Sequence, residues 1–318
     1  MTQALAPLPA PPEMLPAGIT QAADMLAAAA LSPSTLRAYR TSCTAFSRWC
    51  HAQGVAFLPA QAETVAAYVS MLMQAGKRAA TISLAVAAIS CAHELAGHDG
   101  FGRSRKVKDA LKGMRRIIGT APDKKAPATA DRLALMLATC GDDLAGLRNR
   151  ALLALGFAGA FRRSELVALA VEDIQQVDGG AIVTIRRSKT DQEGADQTIG
   201  ILNGSRLRPL DAVTAWCEAA GIASGPIFRK VTKDGTLGAP ITAQTVAQVV
   251  KAAANRAGLD PSEFSGHSLR SGFITSGAEA GHDAIRIAEV SRHKNLEVLR
   301  GYVTRANLLK DHAGASFM

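Results

Sequence analysis

Apolar side chains recur at three- and four-residue intervals through the first third of the chain, the period of a helix with one buried face. Leu36, Tyr39, Cys43, Phe46 and Cys50 mark one such face. Ser32 followed by Pro33 supplies a cap and a first-turn proline, so a helix is expected as far as about Gln53. Val65, Tyr68, Val69 and Leu72 repeat the pattern across Ala62–Gln74, which stops at Gly76. Ile82, Val86, Ile89 and His93 carry a third helix to near Gly97, and Val107, Leu111, Met114 and Ile118 should be the buried side of a fourth. No strand-like alternation precedes residue 119, so this part reads as an all-helical module. Ahead of it, residues 1–18 carry Pro7, Pro9, Pro11, Pro12 and Pro16 and read as a disordered tail, followed by a short alanine-rich helix around Gln21–Leu31.

Gly119–Thr129, with prolines and lysines between two helical patterns, reads as a linker between domains. Beyond it the pattern becomes mixed. Thr129 or Asp131 opens a helix through Cys140, and Leu147–Ala158 is a second, strongly apolar one. Strand-like Ile174–Val177 and Ala181–Arg187 flank Asp178-Gly179-Gly180, a hairpin turn signal. A polar loop from Ser188-Lys189-Thr190 to Asp196 precedes a third strand, Gln197–Leu202. Helices follow at Leu210–Ala220 and Thr242–Ala257, with Gly225–Pro240 between them as irregular chain or short strands. Three helical runs close the sequence. The first begins at His267 and stops at Gly281, Asp283 opens the next with Ile285, Ile287, Ala288 and Val290 as its apolar positions, and the last holds Tyr302.

Composition narrows the class. The chain has 318 residues, enough for two domains with adequate cores. A formal net charge of +9 makes a polyanionic partner plausible, while 4% aromatic content argues against a surface that stacks single-stranded bases. Five scattered cysteines form neither a metal-ligand spacing nor a disulfide framework, which fits a reducing cytoplasm. No basic residue precedes Arg37, so a secretory signal is not expected, and the longest apolar run, Ala151–Phe161, is too short to span a bilayer. The charge is unevenly placed. The fourth helix shows Arg103, Arg105, Lys106, Lys108, Lys112, Arg115 and Arg116 against a single acid, Asp109. A solvated face is one reading; phosphate contact is the other, because exposed helices ordinarily mix signs. Arg37, Arg40, Arg48, Lys77 and Arg78 would extend the same surface.

The candidate chemistry lies mostly between His267 and Tyr302. His267 and Arg270 are three residues apart, so a helix puts them on one face. His293 ends the following helix, and Tyr302 lies nine residues further on. Two imidazoles, a guanidinium and a phenol suit an anionic substrate attacked by a tyrosine hydroxyl, although any one alone would be structural. Upstream, Gly159-Ala160-Phe161-Arg162-Arg163-Ser164-Glu165-Leu166 leads from a buried helix into an arginine pair. Arginine at the edge of a core needs a partner, and Glu165 stands three residues from Arg162. The pair either orients a working arginine or simply holds the turn. Lys189, by local sequence, is an ordinary surface lysine.

Taken in order, Arg162, Lys189 in a hairpin, His267-x-x-Arg270, His293 and Tyr302 resemble the tyrosine recombinases, the phage-integrase family, with a layout like its Cre-like and Xer-like members. The resemblance covers about residues 32–305. Two positions depart from the family pattern: Phe161 replaces the usual Leu, and Arg292 stands where Gly is frequent. The fold it implies is mainly α with a small antiparallel β-sheet, an N-terminal helical (SAM-like) core-binding domain plus a mixed α/β catalytic domain. The expected boundaries are a tail at 1–18, the helical domain at 19–118, a linker at 119–128, the catalytic domain at 129–305, and a C-terminal tail at 306–318 docking on a neighbouring protomer.

The resemblance also implies cleavage of one DNA strand by Tyr302, leaving a 3′-phosphotyrosyl link and a free 5′-hydroxyl. Arg162 and Arg270 would clamp the non-bridging oxygens, His267 would handle the tyrosine proton, and His293 would bond the phosphate or position the nucleophile. Lys189 would protonate the leaving oxygen and Glu165 would support Arg162. No metal, ATP or other cofactor is called for. The partners implied are double-stranded DNA and further copies of the chain, as a tetramer on paired sites in the cytoplasm at the nucleoid, with no membrane. The rival readings are a type IB topoisomerase-like DNA-relaxing enzyme and a catalytically idle DNA-binding regulator.

Overall fold

The computed structural model describes residues 31–121, 125–186 and 197–306, with side chains as far as 304. The proline tail at 1–18, the helix expected up to Leu31 (except that last residue), Lys189 with its loop, and the tail from 307 lie outside the described residues. The chain divides into two compact units, Met1–Pro122 and Asp123–Met318.

In the first unit, α1 (Pro33–Ala52) starts where Ser32 Oγ accepts the Thr35 amide at 3.2 Å, with Pro33 in the first turn. It packs with α2 (Ala62–Gln74), α3 (Ala79–Leu95) and α4 (Arg105–Ile118) around Phe46, Val65, Val69, Ile82, Ile89 and Val107. Phe46, Trp49 and Tyr68 form an aromatic cluster with ring centroids 5.0 and 5.1 Å from Tyr68. His93 belongs to this core. Its Nε2 accepts the Ala60 amide and its Nδ1 donates to the Ile89 carbonyl, both at 2.8 Å, so the ring is satisfied as a neutral imidazole.

Helix α4 buries Val107 and Met114 and exposes its cations. Ile118 departs from the expected buried face: it is 40% exposed, because it lies in the last turn, just before a Gly119 with φ +74° turns the chain away. The basic face is partly neutralised, since Lys106 reaches Glu63 on α2 at 2.9 Å and Arg105 pairs with Asp109 at 3.5 Å.

The second unit is built on α6 (Leu144–Ala158), whose residues 151–155 are wholly buried. This helix begins earlier than periodicity implies, because Asp143 Oδ1 accepts the Gly146 amide at 2.8 Å and caps it. Around it pack α5 (Ala130–Ala138), α7 (Arg163–Ala168), α8 (Pro209–Ala220), α9 (Ala243–Arg256) and α10 (Ser268–Glu279). β1 (Ile174–Val177), β2 (Gly180–Ile185) and β3 (Gln197–Leu202) form an antiparallel sheet in that order. It turns inward Ala181, Val183, Ile185, Ile199 and Ile201. β4 (Arg229–Val231) and β5 (Leu237–Pro240) make a second, two-stranded sheet within the stretch expected to be irregular chain or short strands. Two last helices, α11 (Ala284–Ser291) and α12 (Leu296–Ala306), pack on α10 through Ile274, Ala278, Ile287 and Leu299. Ile285, expected to be an apolar contact, is 62% exposed because Ile287 takes the inward position.

The second half of the expected linker is fixed to this unit. The Ala126 amide donates to the Glu263 carbonyl at 2.7 Å and the Ala128 amide to the Ser268 carbonyl at 2.9 Å. A Cβ at Gly272 would fall 1.9 Å from the Ala128 carbonyl oxygen, so only glycine lets the segment lie this close to α10. The start of α10, and with it His267, is thereby held in place. Among the described residues no helix is long and apolar enough to cross a membrane.

Candidate active site

The turn at the end of α6 does most of the positioning. Gly159 is followed by Ala160 in the left-handed region (φ +44°), which reverses the chain and points the Ala160 carbonyl at Arg270. Gly159 is required because a Cβ there would sit 2.1 Å from the Phe161 ring. Arg162 then takes the N-cap position of α7 with extended backbone, and Glu165 returns from the third helical position to accept the Arg162 amide at 3.0 Å. The other oxygen of Glu165 accepts Arg162 Nη1 at 2.6 Å. Arg163, the alternative arginine of the pair, is exposed.

Arg270 projects from α10 and is 1% exposed. Its Nη1 donates to the Ala160 carbonyl at 2.7 Å and its Nη2 meets His293 Nδ1 at 3.2 Å. A guanidinium only donates, and its contact with Nδ1 is shorter than the 3.5 Å to Nε2, so Nδ1 is assigned the lone pair and Nε2 the ring proton. Ser291 Oγ, 2.9 Å from the same Nδ1, then donates to it as well. His293 is left with one N–H to offer an acceptor. Desolvation, then the charges of Arg270 and Arg162, hold its pKa at about 4, so it is neutral at pH 7.

His267 caps α10, with its amide bonded to Ser265 Oγ at 3.2 Å. Desolvation and then the Arg270, Arg163 and Arg162 guanidiniums hold its pKa below the ordinary histidine value. Because the residue is exposed, the neighbouring charges are the firmer cause. Neutral imidazole at pH 7 can take a proton. Tyr302 is brought in by α12, packed against the small core of α10 and α11, and lies within electrostatic reach of Arg270.

One residue that the sequence marked only as a departure belongs here. Arg292 closes α11 in the left-handed conformation (φ +56°), with its side chain 7% exposed. Its Nη2 donates to Glu165 at 2.8 Å. Arg162 and Arg292 thus both bond the carboxylate of Glu165, and Arg270 lies within reach of its charge. Burial pushes the Glu165 pKa up, but the Arg162 amide and guanidinium and the Arg292 charge outweigh it, and the group stays ionised. Desolvation, then the Arg162 and Arg292 charges, bring Arg270 down to about 9, still cationic at pH 7. A buried excess of fixed positive charge is costly alone and favours an anion.

Next to these groups lies an open depression of about 350 Å³ lined by Gln197, Thr198, Arg292, His293 and Lys294. Gln197 Oε1 and Arg292 Nε are buried there with no partner among the described residues. Gln197 is the first residue of β3 and shares this depression with His293.

Of the residues singled out in the sequence, Arg162, Glu165, His267, Arg270, His293 and Tyr302 come together in the second unit. Lys189 lies outside the described residues. Arg37, Arg40, Arg48, Lys77, Arg78 and the cations of α4 are on the surface of the first unit.

Comparison with known proteins gives the following. The model of the phage integrase family matches residues 128–307, and that of the phage integrase N-terminal SAM-like domain matches residues 22–96. The chain is 39% identical over 287 residues to an integrase/recombinase xerD homolog of Selenomonas ruminantium, covering 88% of this chain and 84% of that protein. It is 23% identical to the recombinase cre of Escherichia phage P1, over 86% of this chain and 84% of the other. Among solved structures, a lambda integrase dimer bound to a COC′ core site superposes with a TM-score of 0.60 at 18% identity, covering 90% of this chain and 75% of that one. XerH bound to its palindromic difH substrate, after cleavage, gives 0.59 at 17% identity over 80% and 71%. These structural likenesses establish the fold.

Proposed function

Because the chain belongs to the phage integrase family, we propose that it is a site-specific DNA recombinase that cuts and rejoins duplex DNA through a covalent bond to Tyr302. The observation that carries this reading is the group of Arg162, Arg270 and Arg292, largely withdrawn from solvent and compensated by the one carboxylate of Glu165, with the Tyr302 phenol of the same chain in electrostatic reach of Arg270. A phosphodiester supplies the missing negative charge. Arg162 and Arg270 hold its non-bridging oxygens, and the single N–H of His293 adds a third donor, so charge that builds on them during attack meets groups already in place.

In the reaction, Tyr302 Oη bonds to phosphorus as its proton passes to neutral His267. The bond to the 5′-oxygen breaks, and Lys189 delivers the proton that makes it a hydroxyl. The phosphotyrosine keeps the energy of the broken bond, so a second 5′-hydroxyl attacks it and restores DNA without ATP. Glu165 orients Arg162 and does not touch the substrate.

The first unit serves as the core-binding domain, meeting backbone phosphates with Arg37, Arg40, Lys77, Arg78 and the cations of α4, while residues from 129 onward form the catalytic domain. The tail from 306 docks on a neighbouring protomer and yields a tetramer on two paired sites. On this reading the protein acts in the cytoplasm, at the nucleoid. The test is covalent trapping on a nicked substrate carrying the target site. Wild type should form a phosphotyrosyl adduct, and Tyr302→Phe should bind the same DNA and form none. An adduct retained by Tyr302→Phe removes Tyr302 from its role. Relaxation of supercoils without exchange between duplexes would favour a topoisomerase instead.

A further inference from the structure

We infer that Arg292 is a positioning residue of this site, one that latches Glu165, and through it Arg162, to the turn after α6. The inference rests on the recombinase reading above. Its guanidinium lies over the Phe161 ring, 5.3 Å from the centroid. Nη1 donates to the Gly159 carbonyl at 3.1 Å and to the Val290 carbonyl at 2.6 Å, and Nη2 donates to Glu165 Oε2 at 2.8 Å. The Arg292 carbonyl in turn faces Arg162 Nη2 at 3.5 Å. One side chain therefore ties together the turn that bears Arg162, the carboxylate that orients it, and the helix end that presents His293.

The two departures from the family pattern are partners in this arrangement. Phe161, in place of Leu, gives the guanidinium a flat face; Arg292, in place of Gly, supplies the guanidinium. Its left-handed backbone suits glycine better than arginine, so side-chain contacts must be what makes arginine acceptable there. Nη1 spends both its hydrogens on backbone carbonyls, Nη2 spends one on Glu165, and Nε is buried, so the effect of Arg292 runs through Glu165 and Arg162.

Arg292→Gly tests this cleanly, because it deletes the latch and relaxes the backbone. The variant should fold, judged by far-UV circular dichroism and a cooperative urea transition, and bind target DNA within about threefold of wild type. Formation of the Tyr302 adduct at saturating DNA should slow by roughly 10- to 100-fold, the scale of a misplaced catalytic group. If the defect runs through Arg162, the double variant Arg162→Ala/Arg292→Gly should be no slower than Arg162→Ala alone. Defects that multiply would overturn the inference, as would wild-type adduct formation by Arg292→Gly. Should that variant not fold, Arg292→Lys, which keeps the charge and loses the fork, is read the same way; failure of both to fold also overturns it. If wild type forms no adduct, the recombinase reading fails instead.

Discussion

Removing the charge on Glu165 should unlatch Arg162 and slow DNA cleavage more than DNA binding. Glu165→Gln is nearly isosteric, so the carboxylate's two oxygens become one oxygen and one amide nitrogen. Oε2 accepts two donors, the Arg162 amide and Arg292 Nη2, whereas Oε1 accepts one, Arg162 Nη1. The amide therefore keeps its oxygen at the Oε2 position and turns its NH₂ toward Arg162 Nη1, donor against donor. Losing that charge-assisted bond costs about 1.5–3 kcal/mol. Leaving Arg162 and Arg292 without their common counter-ion raises the loss of stability to roughly 3–5 kcal/mol.

Urea denaturation without DNA at pH 7 should show this as a lower midpoint at unchanged slope. DNA supplies an anion, so bound target should restore part of the difference. Single-turnover adduct formation should fall by about 10²-fold, which at 1.36 kcal/mol per tenfold corresponds to about 3 kcal/mol of lost transition-state stabilisation. The sign with pH is fixed by the lowered pKa of Glu165. Its contribution is present above the unfolded value of 4.5 and is lost as pH falls through the folded one, so wild type and variant should converge in acid. A variant within about 0.5 kcal/mol of wild type in stability, the usual range for surface substitutions, and equally fast in cleavage, refutes the latch.

Three further outcomes are expected. Lys189→Ala should be slowed by roughly 10²–10⁴-fold on ordinary DNA and largely rescued when the bridging 5′-oxygen is sulfur, because a thiolate leaves unprotonated; equal slowness on both substrates would make Lys230 or Lys233 the next candidate acid. DNA affinity should fall steeply with salt, and charge reversal at Arg105, Lys108 and Lys112 should flatten that dependence; an unchanged slope returns α4 to the role of a solvated face. His293 has a folded pKa of about 4, below the 6.5 of an unfolded histidine. The DNA-free protein should therefore lose stability as pH falls from about 6.5 toward about 4, since only the unfolded chain takes up that proton; His293→Gln should make this limb shallower in denaturation series across the range, the lowered pKa of His267 supplying what remains.

Local information was enough for much of the molecule. Ser32 and Pro33 open α1, Thr242 caps α9, and the three-four spacing of Val65, Tyr68, Val69 and Leu72 marks the buried face of α2, because caps and periods are set by residues within a turn or two. The mainly helical fold with its small antiparallel sheet follows from the same signals. Arg162, His267, Arg270, His293 and Tyr302 could be singled out because their order and spacing carry a family pattern, although spacing alone could not say that they meet.

Tertiary packing decided the rest. Nothing near Arg292 in sequence announces that it will cross 127 residues to reach Glu165, or that Phe161 will lie beneath it. The tautomer of His293 depends on a guanidinium from another helix, and the fixing of 126–128 depends on a missing Cβ at Gly272. Ile118 and Ile285 satisfied a helical period and still face solvent, because burial requires a neighbour to cover the face. Helix period and capping are short-range properties of the chain. Charge compensation, protonation and burial belong to whichever segments the fold brings into contact, and those contacts exist only once it has closed.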